Sequence, residues 1–257
     1  MVLPLKVDIL YGPVNSRRLG RSLGINLMPS NYKLCSFNCV YCHYGWTKVH
    51  TMDVRDCAQD LPSLDEVLEK VRIAARSGLD FEYLTFSGNG EPTLHPQFPQ
   101  LVEGIVQIRN QYRPEARIAL LSNSTGVVRA DVRESISKID LPVFKLDAGS
   151  VGTLRKVNRP VQEVDLAQMI ELLCSLDGIY LQTLLIDGSP SNVSPPDLEA
   201  YFQQVARIQP REVHIYSIDR PVPDPHLVRV TPQKLQEIAR SGEQKTGVTF
   251  RAFWMDR

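Results

Sequence analysis

The stretch Cys35-Ser36-Phe37-Asn38-Cys39-Val40-Tyr41-Cys42 holds three of the five cysteines in the chain. The first gap between cysteines contains three residues and the second contains two. Thiolates are ligands of soft metal centres, and iron–sulfur clusters are bound by closely spaced cysteines on a loop. We therefore interpret the stretch as a metal-binding loop whose ligands are Cys35, Cys39 and Cys42.

Three ligands, rather than four, favour a reactive metal centre. A [4Fe–4S] cluster held by three thiolates keeps one iron without a protein ligand, and an open coordination position is typical of metal sites that do chemistry. A disulfide framework disagrees with the odd number of cysteines and with the absence of a signal-peptide core in Met1–Leu10. A structural zinc site would need a fourth ligand, for which His50 is a candidate, so a non-catalytic zinc-binding module stays open as an alternative.

Length and composition indicate an ordinary globular protein. The chain has 257 residues, 43% of them hydrophobic, and its 29 Lys and Arg balance its 29 Asp and Glu. We expect one domain over residues 1–257, with a core at about 20–220 and a C-terminal helix and strand over 221–257. The neutral charge does not indicate general nucleic-acid binding. Unpaired cysteines and the lack of a long apolar run predict a cytoplasmic protein without membrane contact.

Strands and helices alternate after the cysteine loop. Ser63 and Glu66 form a capping box that predicts the start of a helix. The segment Tyr11–Gly24, rich in glycine and arginine, is predicted as a loop that either binds an anion or RNA or is simply solvated. Single helices between strands indicate parallel pairing, in an open barrel or a doubly wound sheet. The predicted strands are residues 24–28, 81–86, 118–121, 143–147, 179–186 and 213–218.

The cysteine spacing and the position of the loop after the first strand resemble the radical S-adenosylmethionine (radical SAM) superfamily. The resemblance implies an α/β fold, a partial, open parallel (βα)6 barrel. It also implies two cofactors, a [4Fe–4S] cluster and S-adenosylmethionine bound at the open iron. The implied activity is reductive cleavage of S-adenosylmethionine, driven by an external reductant of the flavodoxin or ferredoxin type. The resulting 5′-deoxyadenosyl radical would abstract hydrogen from a substrate.

The sequence Ser87-Gly88-Asn89-Gly90-Glu91-Pro92 follows the second predicted strand. Glycines at a strand end allow the backbone to approach a ligand closely, although a plain turn before a helix would look the same. The segment resembles the GGE element that meets the amino group of the cofactor's methionine, with an asparagine inserted. The family resemblance also implies polar contacts to the ribose after the third strand and an aromatic residue near the adenine. The predicted cofactor-binding residues are therefore Tyr41, Gly88, Asn89, Gly90, Glu91, Ser122 and Asn123.

Lys145 and Asp147 end the fourth predicted strand and are the candidate catalytic residues, with a structural salt bridge as the alternative. The segment Phe144–Pro160 resembles the wyosine-type branch, which contains tRNA 4-demethylwyosine synthases. Those enzymes carry further cysteines upstream of the main motif, whereas no cysteine precedes Cys35 here. The resemblance therefore implies the branch and leaves the substrate open among tRNA, a protein to be activated and a small molecule.

The remaining cysteines, Cys57 and Cys174, lie on separate predicted elements. We interpret Cys174 as a thiol packed in the core, because it follows Leu172 and Leu173 and free cysteine is usually buried. Two separated thiols would need other ligands to complete another cluster, and the sequence offers no clustered set to supply them, so one cluster per chain is expected.

Overall fold

The computed structural model describes residues 2–255, which form two compact units. We call Leu5–Ser36 with Thr47–Pro142 the N-unit, and Phe37–Trp46 with the chain from Val143 onward the C-unit, to which the residues up to Pro4 also belong. The single domain over residues 1–257 remains a prediction. Within the described residues, no helix combines the length and apolarity that crossing a membrane requires.

The N-unit contains a parallel arrangement of strands that begins with a hairpin. Strand β1 pairs antiparallel with β2, β2 pairs in parallel with β5, and β5 with β6, while β3 and β4 form a separate short parallel pair. The strands are β1 Leu10–Ser16, β2 Gly20–Ile25, β3 Leu34–Cys35, β4 Val49–His50, β5 Tyr83–Phe86 and β6 Arg117–Ser122, and the α-helices are α1 Leu64–Arg76, α2 Phe98–Tyr112 and α3 Ala130–Ile136.

The hairpin corrects the prediction of a loop over Tyr11–Gly24. Pro13 is tolerated in β1 because this strand ends the sheet and its missing N–H removes no ladder bond. Gly24 lies under the ring of Tyr11, where an added Cβ would come within 2.2 Å of the ring carbon Cζ. Pro13 is thus accommodated in an edge strand and Gly24 allows close contact with an aromatic ring, and neither residue marks a turn.

The capping box of α1 is confirmed. The main-chain N–H of Glu66 donates to Ser63 Oγ at 3.3 Å, and the N–H of Ser63 donates to Glu66 Oε2 at 2.9 Å. These reciprocal bonds satisfy N–H groups that the first turn of a helix leaves without partners.

The C-unit contains a second run of parallel strands. Strand β7 pairs with β8, β8 with β10, and β10 with β12, all in parallel, while β9 and β11 form an antiparallel pair. The elements are β7 Leu141–Lys145, which starts in the N-unit, α4 Val151–Val157, α5 Leu166–Cys174, β8 Tyr180–Leu184, β9 Ile186–Gly188, α6 Pro195–Ile208, β10 Glu212–Tyr216, β11 Leu227–Arg229, α7 Pro232–Thr246 and β12 Phe250–Phe253.

Two details of the C-unit differ from the sequence prediction. The strand predicted over 179–186 is divided into β8 and β9, and α4 is an additional helix between β7 and β8. Cys174 is exposed rather than packed in the core. Helix α5 buries Met169, Ile170 and Leu173 on one face, and the next position along a helix turns about 100° away from that face.

The strand ends place the polar residues of interest. In the N-unit, Ser87–Glu91 follow β5 and Asn123 follows β6, two neighbouring parallel strands whose carboxyl ends share one edge. In the C-unit, Asp147 follows β7 beside the end of β8. Fully buried side chains such as Phe86 and Phe144 support these strands from the core, and each contributes about 2–3 kcal/mol by burial.

Candidate metal and cofactor site

The cysteine loop is shared by the two units. Cys35 is the last residue of β3 in the N-unit and is buried, while the C-unit holds Cys39, which is buried, and Cys42, which is half-buried. Each of the three is a cysteine thiol that forms no disulfide.

Main-chain hydrogen bonds hold the loop in the C-unit. The N–H of Asn38 donates to the carbonyl oxygen of Asn158 at 2.9 Å, and that of Val40 donates to the carbonyl oxygen of Val157 at 3.0 Å. The loop is thereby attached to the end of helix α4, the helix that the sequence prediction did not include.

The set of donors fits a cluster with an open iron. Across residues 2–255, no three Cys, His, Asp or Glu side chains are grouped as ligands of a metal ion. In a cubane each thiolate binds a different iron, so its ligands do not need to converge on one atom. His50 is the candidate fourth ligand of the alternative zinc site. Its Nε2 lies 3.1 Å from the carbonyl oxygen of Ser36, which is a hydrogen-bond distance.

Glu91 organises the surroundings of Cys35 in the N-unit. Its carboxylate accepts the N–H of Asn123 at 2.5 Å, the hydroxyl of Ser122 at 2.9 Å and the N–H of Thr93 at 3.1 Å. Burial raises the pKa of Glu91, and these hydrogen bonds oppose the rise by stabilising the charged form. The structure therefore brings together Glu91, Ser122 and Asn123, three residues that the sequence assigned to the cofactor.

The glycines of the Gly88–Glu91 segment accommodate the chain itself. An added Cβ at Gly90 would lie 1.6 Å from the carbonyl oxygen of Leu34, and one at Gly88 would lie 2.5 Å from Oδ1 of Asn26. The close approach predicted at Gly90 is present, but the approaching group is main chain next to Cys35.

Asn89 is buried and bound to main chain. Its Nδ2 donates to the carbonyl oxygens of Lys6 and Pro29 at 2.8 and 2.9 Å, and its Oδ1 accepts the N–H of Lys6 at 2.8 Å. The assignment of Asn89 to the cofactor is therefore not supported by its side-chain contacts, which fasten the N-terminal segment.

Asp147 organises the surroundings of Cys39 in the C-unit. The hydroxyl of Tyr41 donates to Oδ2 of Asp147, and Nδ2 of Asn158 donates to the same oxygen at 2.6 Å. The N–H of Leu184 donates to Oδ1 at 2.7 Å. Burial, followed by the charge of Asp147, raises the pKa of Tyr41 well above its usual value, so this phenol stays protonated.

Lys145 is the cation of this buried group. Its Nζ lies 3.4 Å from Oδ1 of Asp147 and 3.2 Å from the hydroxyl of Tyr216, and 5.1 Å from the ring centre of Tyr41. Burial acts to lower the pKa of Lys145, but the charges of Asp147 and Tyr216 outweigh it and raise the pKa above its usual value. Lys145 and Asp147 form the ion pair that the sequence analysis gave as the alternative to a catalytic role.

Asn158 is the residue that sequence analysis did not assign. It is fully buried, and its Nδ2 lies 3.4 Å from Sγ of Cys39 and 2.9 Å from the hydroxyl of Tyr41. Cys39 is 119 positions away along the chain, so no local pattern joins the two residues. The sequence signal that could have identified Asn158 is a polar residue directly before Arg159-Pro160, at the end of a helix.

Known proteins match this chain in sequence. The family model described as Radical SAM superfamily matches residues 32–192. A UPF0026 protein of Methanocaldococcus jannaschii is 36% identical over 183 residues, which are 70% of this chain and 53% of that protein. The chain thus spans about half the length of this relative.

Two solved structures share the fold. A radical SAM methyltransferase from Sphaerobacter thermophilus has a TM-score of 0.65 at 14% identity, over 92% of this chain and 67% of that one. TYW1 with a lysine-pyruvate adduct bound has a TM-score of 0.57 at 16% identity, over 88% of this chain and 75% of that one. The predicted open parallel barrel of the radical SAM type is confirmed, and the wyosine-type likeness is seen at the level of the fold.

Enzymes of this superfamily use a [4Fe–4S] cluster and S-adenosylmethionine, which confirms the two predicted cofactors. The family match covers more than half of the residues and includes all three loop cysteines. The chain belongs to the radical SAM superfamily.

Proposed function

We propose that this chain is a reductive radical SAM enzyme in which Cys35, Cys39 and Cys42 hold a [4Fe–4S] cluster. The observation that carries the proposal is the presence of three cysteine thiols outside any disulfide, on one short loop inside the family match. When bound, the cluster and S-adenosylmethionine supply a 5′-deoxyadenosyl radical, through one electron from an external reductant of the flavodoxin or ferredoxin type.

We assign the S-adenosylmethionine site to the strand ends of the N-unit that carry Gly88, Glu91, Ser122 and Asn123, and the role of Tyr41 at the adenine stays a prediction from the family resemblance. The support for this assignment is the buried carboxylate of Glu91, whose pKa is raised by burial. A buried carboxylate gains from a nearby cation, and the ammonium group of the cofactor's methionine is one.

Lys145 is proposed to act as a fixed positive charge and not as a nucleophile. The solved structure of TYW1 contains a lysine-pyruvate adduct, which raises the question of whether a lysine here reacts similarly. The pKa of Lys145 is raised by Asp147 and Tyr216 against the effect of burial. A protonated amine has no lone pair with which to attack a carbonyl.

Trapping with borohydride tests the role of Lys145. After incubation with pyruvate and borohydride, peptide mass analysis should find no adduct on Lys145. A reduced pyruvyl adduct on this residue, absent from Lys145→Arg, would contradict the fixed-charge role.

Anaerobic turnover tests the proposed function. Protein reconstituted with iron and sulfide should release 5′-deoxyadenosine from S-adenosylmethionine when a reductant is added. Deuterated candidate substrates of the RNA, protein and small-molecule classes should then be compared for transfer of deuterium into 5′-deoxyadenosine. Zinc in place of iron, with no acid-labile sulfide, would restore the zinc-binding alternative.

RNA is the second candidate substrate, and one contact favours it. The guanidinium of Arg159 lies 4.9 Å from the ring centre of Trp46, which is exposed. Arg159 and Lys156 also line a cavity of about 580 Å³, together with Asp197 and Asp224. Exposed aromatic rings beside arginine are typical of surfaces that stack RNA bases and bind phosphates. Quenching of tryptophan fluorescence by a short RNA, weakened by salt and absent in Trp46→Ala, would support this candidate.

A further inference from the structure

Two buried asparagines place their side-chain amide nitrogens within hydrogen-bond distance of sulfurs of the cysteine loop. In the N-unit, Nδ2 of Asn123 lies 3.5 Å from Sγ of Cys35, and in the C-unit, Nδ2 of Asn158 lies 3.4 Å from Sγ of Cys39. The exposed fractions are 9% for Asn123 and 0% for Asn158. Each unit thus supplies one side-chain amide to one of the predicted cluster ligands.

The hydrogen-bond partners fix the orientation of both amides. Nδ2 of Asn158 is 2.6 Å from a carboxylate oxygen of Asp147, which can only accept, so the opposite orientation would place two oxygens together. The two hydrogens of this amide face three acceptors, Asp147, the hydroxyl of Tyr41 and Sγ of Cys39, so the hydrogen directed at the sulfur is shared with Tyr41. Oδ1 of Asn123 accepts the N–H of Thr125 at 3.0 Å and its hydroxyl at 2.8 Å, which leaves the two hydrogens of Nδ2 for Oγ of Ser36 at 2.8 Å and Sγ of Cys35 at 3.5 Å.

Buried carboxylates hold each asparagine in place. Asp147 accepts from the side chain of Asn158, and Glu91 accepts from the main-chain N–H of Asn123. Oδ1 of Asn158 is buried and has no hydrogen-bond partner among residues 2–255, so the position of this amide is set by the contacts of its nitrogen. Such outer hydrogen bonds are the means by which proteins tune metal centres.

The amides change the energy of adding an electron. Uptake of one electron from the external reductant makes the cluster and its thiolates more negative, and an N–H directed at sulfur stabilises that added charge. Hydrogen bonds to the sulfurs are among the features that set the reduction potential of an iron–sulfur cluster. The effect is larger in a buried site, where the effective dielectric constant is low.

We propose that Asn123 and Asn158 are positioning residues that raise the reduction potential of the cluster through N–H···S hydrogen bonds to Cys35 and Cys39. The inference rests on the proposed function, because it requires the cluster to be bound by these cysteines. Because Asn123 is also assigned to the S-adenosylmethionine site, the inference concerns the potential of the cluster without that cofactor bound.

Substitution by leucine tests the proposal, since leucine matches the shape of asparagine and lacks its amide. Asn123→Leu and Asn158→Leu should each shift the cluster potential to a more negative value in a redox titration followed by electron paramagnetic resonance. The double variant should shift it further. A wild-type potential in both single variants would overturn the proposal.

The matched control is Asn192→Leu. Asn192 is also buried in the C-unit, and its Nδ2 donates to the carbonyl oxygens of Asp147 and Leu184, both at 2.9 Å. The hydrogen bonds of its side chain go to main-chain groups. The potential of this variant should equal that of wild type, and an equal shift in all three variants would refute a specific effect of N–H···S bonds.

A measurement on the unaltered protein covers the case in which the leucine variants do not fold. Wild-type protein carrying ¹⁵N only in asparagine side-chain amides should show ¹⁵N hyperfine coupling to the reduced cluster in pulsed resonance experiments. Absence of coupling would overturn the proposal. Failure to bind a cluster would instead refute the proposed function, so the two failures are distinguishable.

Discussion

Cys39 combines burial, a predicted metal-ligand role and a hydrogen bond from Asn158. Cys39→Ala should lose bound iron and cleavage of S-adenosylmethionine together, because two thiolates cannot hold three irons. The measurements are iron and sulfide content after anaerobic reconstitution. Cys57→Ala is the matched control, since Cys57 is buried outside the loop and its Sγ lies 3.4 Å from the carbonyl oxygen of Val54. Wild-type iron content in Cys39→Ala would exclude Cys39 as a ligand.

His95 gives the N-unit a dependence of stability on pH. Its Nε2 donates to the carbonyl oxygen of Pro62 at 2.9 Å, and its Nδ1 accepts the N–H of Gln97 at 3.2 Å. Burial, aided by the charge of Arg129 and opposed by the bond to Pro62, holds the pKa of His95 below its ordinary value of 6.5.

The sign of the effect follows from which state binds the proton. Below pH 6.5 the unfolded chain protonates this imidazole before the folded chain does, so stability is full above that pH and is lost as the pH falls towards the folded pKa. His95→Gln should flatten the acid side of the curve by at most about 1.4 kcal/mol per pH unit. Urea unfolding between about pH 5 and 8 measures the slope. An unchanged slope would show that His95 does not carry the effect.

At the scale of elements, the contact between Gly90 and Leu34 ties the end of β5 to the strand that carries Cys35. The N–H of Glu91 donates to the carbonyl oxygen of Leu34 at 3.3 Å, and a Cβ at Gly90 would overlap that oxygen at 1.6 Å. From sequence alone, a valine at this position would weaken binding of S-adenosylmethionine and spare the cluster.

The structure revises that expectation. Gly90→Val should displace Leu34 together with Cys35, lower the free energy of unfolding by more than about 2 kcal/mol and reduce iron content. Gly152→Val is the control, because an added Cβ at Gly152 meets nothing within 4 Å. Wild-type iron content in Gly90→Val, with weakened cofactor binding, would restore the earlier expectation.

Elements with local signals were predictable from the sequence. The capping box at Ser63 and the apolar stripes of α1 and α2 locate these helices, because their stabilising contacts lie three or four residues apart. The hairpin of β1 and β2 was missed because its glycine and proline serve a ring contact and an edge position. Helix α4 was missed because it spans only Val151–Val157, too short for a clear period.

At the scale of the whole molecule, the cysteines allow one cluster per chain. The cysteines outside the loop are Cys57, which is buried, and Cys174, which is exposed. Reconstituted protein should bind about four irons, and replacing both of these cysteines by serine should leave that number unchanged. Quantitative iron and sulfide analysis of the two proteins makes the comparison. About eight irons per chain would indicate a second cluster and the wyosine-type arrangement.

The metal-binding residues of the site were more predictable from the sequence than the residues that hold them in position. Cys35, Cys39 and Cys42 are identified by local spacing, which a metal centre imposes on the chain directly. Glu91 and Asp147 were singled out as polar residues at strand ends, but their partners depend on which strands become neighbours. Asn158 could not be assigned from the sequence, because its bond to Cys39 joins positions 119 residues apart.

The exposed thiol of Cys174 allows the fraction of protein that carries a cluster to be measured by chemical labelling. In a chain with its cluster bound, three thiols would be held by iron and Cys57 is buried, so a mild alkylating dye should modify about one thiol per native chain, at Cys174. Loss of the cluster would release the half-buried Cys42 for modification. The number of dye molecules per chain, measured by mass spectrometry, would then report the fraction of chains that lack a cluster. In air, the exposed thiols of two chains would form an intermolecular disulfide.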